Sequence, residues 1–551
     1  MSLLDETFDP YTPKPNLWQR YPRLSWSLAV FALTAFLTVV AFPQWNIAEA
    51  AYVLGLPAIL WAYRRPAFRL YAGVVLGAHM VAWTIVLGWL HNVSWAGLFI
   101  LGPFIGLLVG VWYLAVWWMI PKVKGHRALV RILLMFGLAA LWVVLEWLRS
   151  QIFGGFPWLP LAASQWQRPF LLQVAAYAGA GATSFVLIVF NLGAAAYVHR
   201  AFFEGVTGFK KRTPEFSVAL LVLMAGGCSF LGETFNQQRV TLARVGLVQP
   251  AIPQMQKWDE RFARSVLETI EQVTVATNGR GSPDFIVWPE AVTPWPVGRE
   301  PDVQAWIERL AKRTGKPLLL GSVWANPEPG VDDWRNGAFL VTPAGGLAPE
   351  QYFKRKLVPF GEYVPLRPLL GWVRKVAPIG GDFRHGESAA PLPVPVGRTQ
   401  VPVGVLICYE DIFPALARES VRSGAELLAV LTNNAWFGEG GAAYQHAAHS
   451  VLRAIETRRP VIRCGNSGWS GWIDEYGNVR TTVVNDAGSV YFRGGQTVVV
   501  SRDLRWRGRQ SFYTEHGDWF IILCASLSLA AYYAAQALRP PAPKPGGEPL
   551  F

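Results

Sequence analysis

The sequence predicts an α/β layered-sheet domain joined to a polytopic α-helical membrane part. Three observations carry that expectation. Hydrophobic residues make up 52% of the chain and charged residues only 16%, against about 25% charged in an average soluble protein. Eight stretches approach the roughly 20 apolar residues that a helix needs to cross a bilayer. Between the seventh and the eighth, short apolar runs alternate with amphipathic stretches, as strands alternate with helices in α/β proteins. With 551 residues the chain can bury more than one core.

The expected spans lie at roughly 24–42, 47–63, 70–90, 95–120, 129–148, 171–197, 216–234 and 518–537. The second is short and holds Pro57. The first is followed by Pro43 and Trp45 rather than a small-x-small cleavage site, so it is expected to stay in the mature protein. The net charge is +13, and the basic residues gather beside the spans. One set of loops carries Lys14, Arg20 and Arg23, then Arg64, Arg65 and Arg69, then Lys122, Lys124, Arg127 and Arg131. It continues with Arg200, Lys210, Lys211 and Arg212, and with Arg539 and Lys544 in the tail. The opposite loops carry Arg149 and Arg168. This asymmetry puts the basic loops in the cytoplasm and residues 235–515 outside. It also gives the charge a topological meaning, so no nucleic-acid partner is expected. The 26 tryptophans suit an interfacial belt. Glu146 and Arg149, three apart at the end of the fifth span, read as an interfacial pair.

The expected domains are 1–236, a membrane domain of about seven helices; 237–514, the α/β domain; and 515–551, a last span with a disordered Pro-rich tail. Strands are expected at RVGLVQ, DFIVWPE, PLLLGSV, AFLVTP, VPVGVLI, LLAVLTNN, PVIRCGN, GWSGWID and QTVVVS. Their continuous apolar runs suit burial on both faces. Helices are expected at Asp259–Val275, Val303–Arg313, Ile412–Ser423 and Ala442–Glu456.

Chemistry collects where strands stop. Cys408 ends VPVGVLI, and Glu290 ends FIVWPE. A free thiol is only a few per cent thiolate near neutral pH, so a neighbouring base matters. A glutamate in a partly apolar pocket is expected to have its pKa raised toward that task. The run Lys354, Arg355, Lys356 can supply a cation for an oxyanion, and physics leaves open which of the three does so. Cys228 and Cys524 fall in apolar spans and read as inert. No CxxC or Cys/His ligand spacing favours zinc or a disulfide framework. His446 and His449 lack a third ligand in register and read as structural.

Taken together, these residues resemble the nitrilase superfamily, whose members use Glu, Lys and Cys in this chain order. The words VWPEAVTP, KRKLVPFGEYVP, ICYEDIFP, NNAWFG and RAIETRRPVIR are similar to those of the apolipoprotein N-acyltransferases. So are His91–Asn92, EWLR and FPWLP in the membrane part. The resemblance implies a nitrilase-like sandwich beside about eight transmembrane helices. It implies Glu290 as base, Lys354 as ammonium and Cys408 as acylated nucleophile. It also implies Glu362, Tyr409 and Glu410 around them, and Trp258 on a loop near substrate. It implies no cofactor and no metal. The implied partners are a phospholipid acyl donor, a diacylglyceryl-modified apolipoprotein acceptor and the bilayer. The implied location is the bacterial inner membrane, with the catalytic domain on its periplasmic face. Asn434 stands where the family usually has Asp, Lys356 where it commonly has His, and Cys464 where small or polar residues are usual. Two alternatives share parts of the pattern: a membrane-bound amidase or nitrilase acting on small amides, and a transporter with an outer ligand-binding domain.

Overall fold

The computed structural model describes residues 22–123, 126–204, 213–235, 237–328, 330–365 and 382–538. Lys14, Arg20, Lys124, Lys210, Lys211, Arg212, Arg539, Lys544 and the Pro-rich tail lie outside the described residues. Among the described residues, seven helices are long and apolar enough to cross a membrane. Six precede the sheets: α1 (Pro22–Ala41), α3 (Phe68–Val86), α4 (Trp95–Val123), α5 (Ala128–Arg149), α6 (Ala180–Phe203) and α7 (Pro214–Thr234).

The expected second span is not one helix. A 3-10 turn, Ala48–Tyr52, is followed by a break and then by the short helix α2 (Leu56–Tyr63), with Pro57 in its first turn, where a missing N–H costs nothing. The segment nevertheless crosses the bundle. At one end the Ala48 carbonyl accepts from Gln165 Nε2 at 2.9 Å. At the other, Tyr63 stacks on His199 at 4.1 Å and the Arg64 guanidinium covers Trp26 and Phe203. The sixth span also differs from expectation. Residues 169–178 form two short turns, and α6 starts only after Gly179. Gly179 has φ +72°, and a Cβ there would meet the Tyr513 ring at 2.8 Å. α3 and α4 pack backbone to backbone, since a Cβ on Gly106 would fall 2.3 Å from the His79 carbonyl.

Two six-stranded sheets follow. The first runs β12-β1-β2-β3-β4-β5 and the second β11-β10-β9-β8-β7-β6. In the first, β1 (Arg239–Gln249), β2 (Phe285–Val287) and β3 (Leu318–Ala325) are parallel neighbours. β4 (Trp334–Thr342) and β5 (Gly346–Phe353) extend it antiparallel. In the second, β7 (Thr399–Ile407), β8 (Leu427–Thr432) and β9 (Val461–Gly465) are parallel. They are flanked by β6 (Leu392–Val396), β10 (Gly471–Ile473) and β11 (Val479–Thr482), and β12 (Gly494–Asp503) closes the first sheet. The inner faces bury one another through Val245, Val287, Leu340, Val405, Ala429 and Ile462.

Outside the first sheet lie α8 (Glu260–Gly281) and α9 (Pro301–Thr314); outside the second lie α10 (Pro414–Arg422) and α11 (Gly441–Thr457). The result is a four-layer sandwich of two sheets between two helix layers, as the resemblance in sequence implies. The core of its second helix layer runs without a break into the membrane bundle.

The last helix, α12 (Trp519–Ala537), packs on α5. Its start holds to Trp147 through Asp518, and near its far end the Ala535 carbonyl accepts from Lys122 at 3.1 Å. Eight segments therefore cross the bundle among the described residues. One end lies under the sandwich. The other carries Arg23, Arg64, Arg65, Lys122, Arg131 and Arg200.

Candidate active site

Parallel strands present their carboxyl ends in one direction, and side chains just beyond those ends converge. Glu290 follows β2 by three residues, Cys408 follows β7 directly, and Thr432 ends β8. Lys354 follows β5, the edge strand that lies antiparallel in the first sheet.

Lys354 is 1% exposed. Its Nζ donates to Glu290 Oε1 at 3.2 Å and to Glu362 Oε1 at 3.0 Å. Asn336 on β4 bridges the same two carboxylates, donating to Glu290 at 2.8 Å and Glu362 at 2.9 Å. Val358 N–H holds the other Glu362 oxygen at 2.8 Å. Glu410 is fully buried and takes four donors: Tyr352 Oη–H, and the backbone N–H groups of Arg355, Lys356 and Ile407. It thereby ties the Lys354 segment to the end of β7. Of the three basic residues, Lys354 is the one that meets Glu290 and Glu362. Arg355 reaches Glu419 at 2.6 Å, and Lys356 lies over the Phe413 ring at 5.0 Å.

Burial would lower the Lys354 ammonium, but Glu290 and Glu362 outweigh it and hold the pKa above the ordinary lysine value. Burial would raise Glu290, yet Lys354, Lys257 and the Asn336 amide hold it below the ordinary value. The expected upward shift is thus reversed, because two ammonium groups face this carboxylate. Burial and the Glu290 charge push the Cys408 thiol up to about 12. The resting site therefore holds carboxylate, ammonium and neutral thiol.

Cys408 is 9% exposed and opens a 3-10 turn, Cys408–Ile412, with φ +50°. A non-glycine residue in this left-handed region is strained and persists only where its surroundings hold it. Thr432 Oγ1 lies 3.3 Å from Sγ. The Tyr409 hydroxyl donates to Gly155 O at 2.8 Å, and the Tyr409 ring meets Phe413 edge-on. Trp258 is half exposed, while Lys257 beside it is buried and donates to the Glu290 carbonyl at 3.1 Å. Lys257, Asn336 and Thr432 were not picked out in the sequence. Lys257 carried one signal, its place next to Trp258; the other two carried none.

Cys408 opens onto a cavity of about 530 Å³, within the roughly 300–1,000 Å³ of ligand sites. Leu101, Phe104, Ile105 and Leu108 of α4 form one side, and Trp89, Trp158 and Phe437 another. Ile100, 71% exposed, and Phe360, 44% exposed, both line it, so its mouth lies on the flank of the bundle. Cys464 is elsewhere, between the sheets, with its thiol on the Val248 and Val287 carbonyls. Glu146 and Arg149 do not form the expected pair. Glu146 accepts from Trp142 Nε1 and Leu161 N–H, and Arg149 donates to Leu159 O.

A family model for carbon-nitrogen hydrolases matches residues 244–535. One for the apolipoprotein N-acyltransferase N-terminal domain matches residues 34–193. The apolipoprotein N-acyltransferase of Geobacter metallireducens is 32% identical over 541 residues, covering 94% of this chain and 96% of that one. That of Brucella melitensis biotype 1 is 30% identical, covering 86% and 89%. Among solved structures, an amidase from Nesterenkonia sp. is similar at 18% identity and a TM-score of 0.35, covering 51% of this chain and 95% of that one. A sandwich whose acid, amine and thiol meet beside a membrane bundle, with relatives alike over nearly their whole length, belongs to the apolipoprotein N-acyltransferase family.

Proposed function

We propose that the protein transfers a fatty acyl chain from a membrane phospholipid, through a thioester on Cys408, to the α-amine of a diacylglyceryl-modified N-terminal cysteine. Glu290 takes the Cys408 proton as the thiolate attacks the ester carbonyl. Lys354 Nζ and the Tyr409 backbone N–H stabilise the oxyanion, an interaction worth about 3–4 kcal/mol per donor in comparable sites. The tetrahedral centre collapses, and the lysophospholipid leaves with the proton held by Glu290. The acceptor amine then attacks the thioester, Glu290 takes its proton, the amide forms and the proton returns to sulfur. Two half-reactions on one nucleophile give ping-pong kinetics. In this reading Glu362 and Glu410 hold Lys354 and Cys408 in register, and Trp258 belongs to the rim.

The observation that carries the proposal is the apolar cavity with Cys408 in its wall and its mouth on the flank of the bundle. A hydrolase of small amides would use the same acid, amine and thiol, but it needs no cavity of this size walled by a membrane helix. Such a cavity admits acyl chains from the side and keeps water from the thioester. Orientation follows from charge. Arg23, Arg64, Arg65, Lys122, Arg131 and Arg200 gather at the end away from the sandwich. This supports a cytoplasmic location for that end and a periplasmic catalytic domain in the inner membrane.

The test is intact-mass analysis of the purified protein in phospholipid micelles. A fatty-acyl adduct on Cys408 is expected, absent in Cys408→Ala and discharged by a diacylglyceryl-cysteine peptide. An adduct that persists in Cys408→Ala overturns the nucleophile. Release of free fatty acid without acylated peptide overturns transfer.

A further inference from the structure

Behind Cys408 a buried polar chain has a direction. His446 Nε2 lies 3.1 Å from the Cys408 carbonyl oxygen and 2.7 Å from Asp411 Oδ1. A backbone carbonyl can only accept. The Asp411 carboxylate is held ionised by Arg463, 2.6 Å from its other oxygen, with Ser450 Oγ–H donating there at 2.8 Å. Nε2 therefore carries a hydrogen. Burial and the Arg463 charge hold the His446 pKa below its ordinary value, so the ring is neutral and Nδ1 is an acceptor.

The group facing Nδ1, at 3.1 Å, is the Asn434 side-chain amide, and the same amide end lies 3.2 Å from Thr432 Oγ1. With oxygen at that end, two acceptors face each other and the buried amide nitrogen at the other end has no partner. Turning the amide by half a rotation removes the acceptor–acceptor contact and brings the amide nitrogen to His446 and Thr432, leaving the oxygen at the unpartnered end; the two senses of a side-chain amide are told apart only by such hydrogen bonds. Its two N–H bonds then meet His446 Nδ1 and Thr432 Oγ1. The Thr432 oxygen becomes an acceptor, and its own hydrogen is left for Cys408 Sγ at 3.3 Å.

We propose that Asn434 is a positioning residue for the reacting sulfur: fixed by His446, its amide commits the Thr432 hydroxyl as a hydrogen-bond donor to the Cys408 thiolate. This rests on Cys408 being the nucleophile. It does not depend on the identity of the acyl donor. A hydroxyl locked as a donor stabilises thiolate over thiol. A carboxylate at position 434 would accept from Thr432 instead and withdraw that donor. The charged groups that also act on the sulfur are Glu290 from the end of β2, Lys354 from the end of β5 and the buried Lys257. Those facing His446 are Asp411, Arg463 on β9, and His449 on its own helix. None of these side chains is substituted in the variants below, and the carboxylate that Asn434→Asp adds beside His446 is told apart from loss of the donor by the Thr432→Val background.

The experiment measures alkylation of Cys408 by iodoacetamide against pH, read at the Cys408 peptide by mass spectrometry, in the full-length detergent-solubilised protein. Asn434→Asp and Thr432→Val are each expected to move the rise in reactivity to higher pH and to slow alkylation at fixed pH roughly tenfold, which is one pKa unit. Thr432→Ser keeps the hydroxyl and is expected to stay near the wild-type curve, which separates a lost donor from a damaged fold. In the Thr432→Val background, most of the Asn434→Asp effect should vanish, because the two act through one hydrogen bond. An unchanged curve in Asn434→Asp overturns the proposal, and so does an equal decrement with and without the Thr432 hydroxyl. Alkylation needs no lipid. Failure of the acyl-transfer reading would appear as absent acyl-enzyme with these curves intact.

Discussion

The Cys408 sulfur stands between two walls of opposite character. One is carried by the sheets: Glu290, Lys354, Asn336 and Glu362 come from four different segments, and each is held by at least two hydrogen bonds to the others or to backbone. The other is carried mostly by the membrane part: Leu101, Phe104, Ile105 and Leu108 of α4 with Trp89 and Trp158 contribute contact and volume. The first wall holds its charges through direct hydrogen bonds, because electrostatic stabilisation falls away when a donor is misplaced. The second need only be apolar, of suitable size and open to the side. One wall is specified residue by residue, the other by hydrophobicity and shape, so they should answer differently to mutation.

The largest effects belong to the polar wall. Glu290→Gln keeps the Asn336 contact geometry but removes the proposed proton acceptor. Single-turnover acylation of Cys408 should fall by about 10²–10⁴. Lys354→Met removes the proposed oxyanion partner and leaves Glu290 and Glu362 facing each other across a buried gap, for a loss on the order of 10²–10³. Both are read from the time course of acyl adduct by mass spectrometry. A Glu290→Gln protein that acylates within a few-fold of wild type would remove the distinction between the walls.

The apolar wall should instead discriminate by chain length. Leu108→Trp fills part of the cavity from its α4 side. It should cut kcat/KM for long-chain donors by roughly 10–100-fold, the scale of excluding one or two methylenes, and leave short-chain esters nearly unaffected. Equal losses for both lengths would mean that this face orders the chemistry after all. Gln445 on α11 joins the two regions. Its amide accepts from the Trp89 and Trp158 indoles at 2.9 and 2.8 Å and donates to the Val86 carbonyl at 2.8 Å. Gln445→Leu strands those groups at about 1–3 kcal/mol each. Thermal unfolding should show destabilisation with the acylation rate per folded molecule largely kept.

The same contrast explains what could be read from the sequence. Glu290, Lys354 and Cys408 stood out as candidates because each ends an apolar run or sits in a dense motif, and the family resemblance chose Lys354 where charge alone left three candidates. α8 was legible as a helix because only one face is buried, at Ala263, Val266, Ile270 and Val273. α11 was found as a helix, but its burial was not foreseen. All but Tyr444 of its residues are buried, and Gln445, His446, His449, Arg453 and Glu456 look like a solvated face until the bundle covers them. β5, β6 and β11 were missed because an edge strand such as Gly346–Phe353 is half exposed and reads as polar loop. The second span kept its crossing but lost its single helix, since hydropathy counts residues and does not see the break before Leu56. Asn336 and Thr432 had no local signal at all; only the pairing of strands puts them beside the acids and the sulfur.

The smallest expected effect tests whether Lys257 belongs to the polar wall. Its ammonium is 1% exposed and donates to the Glu290 carbonyl at 3.1 Å. Burial lowers its pKa to about 8, with Glu290 and Cys408 opposing that shift. Its charge is one of the two that hold Glu290 ionised below the ordinary carboxylate range. In Lys257→Met that support is lost while Lys354 and Asn336 remain. Glu290 should then keep its proton to higher pH, and the acid limb of the acylation rate should move upward by a fraction of a unit to about one unit. The plateau rate should change little, because Lys257 touches the backbone of Glu290 and not its carboxylate. The check is the pH–rate profile of single-turnover acylation. An acid limb that stays in place would leave Lys257 as a structural lysine that fixes the Glu290 backbone, and a limb that moves downward would reverse the sign of its charge effect on the base.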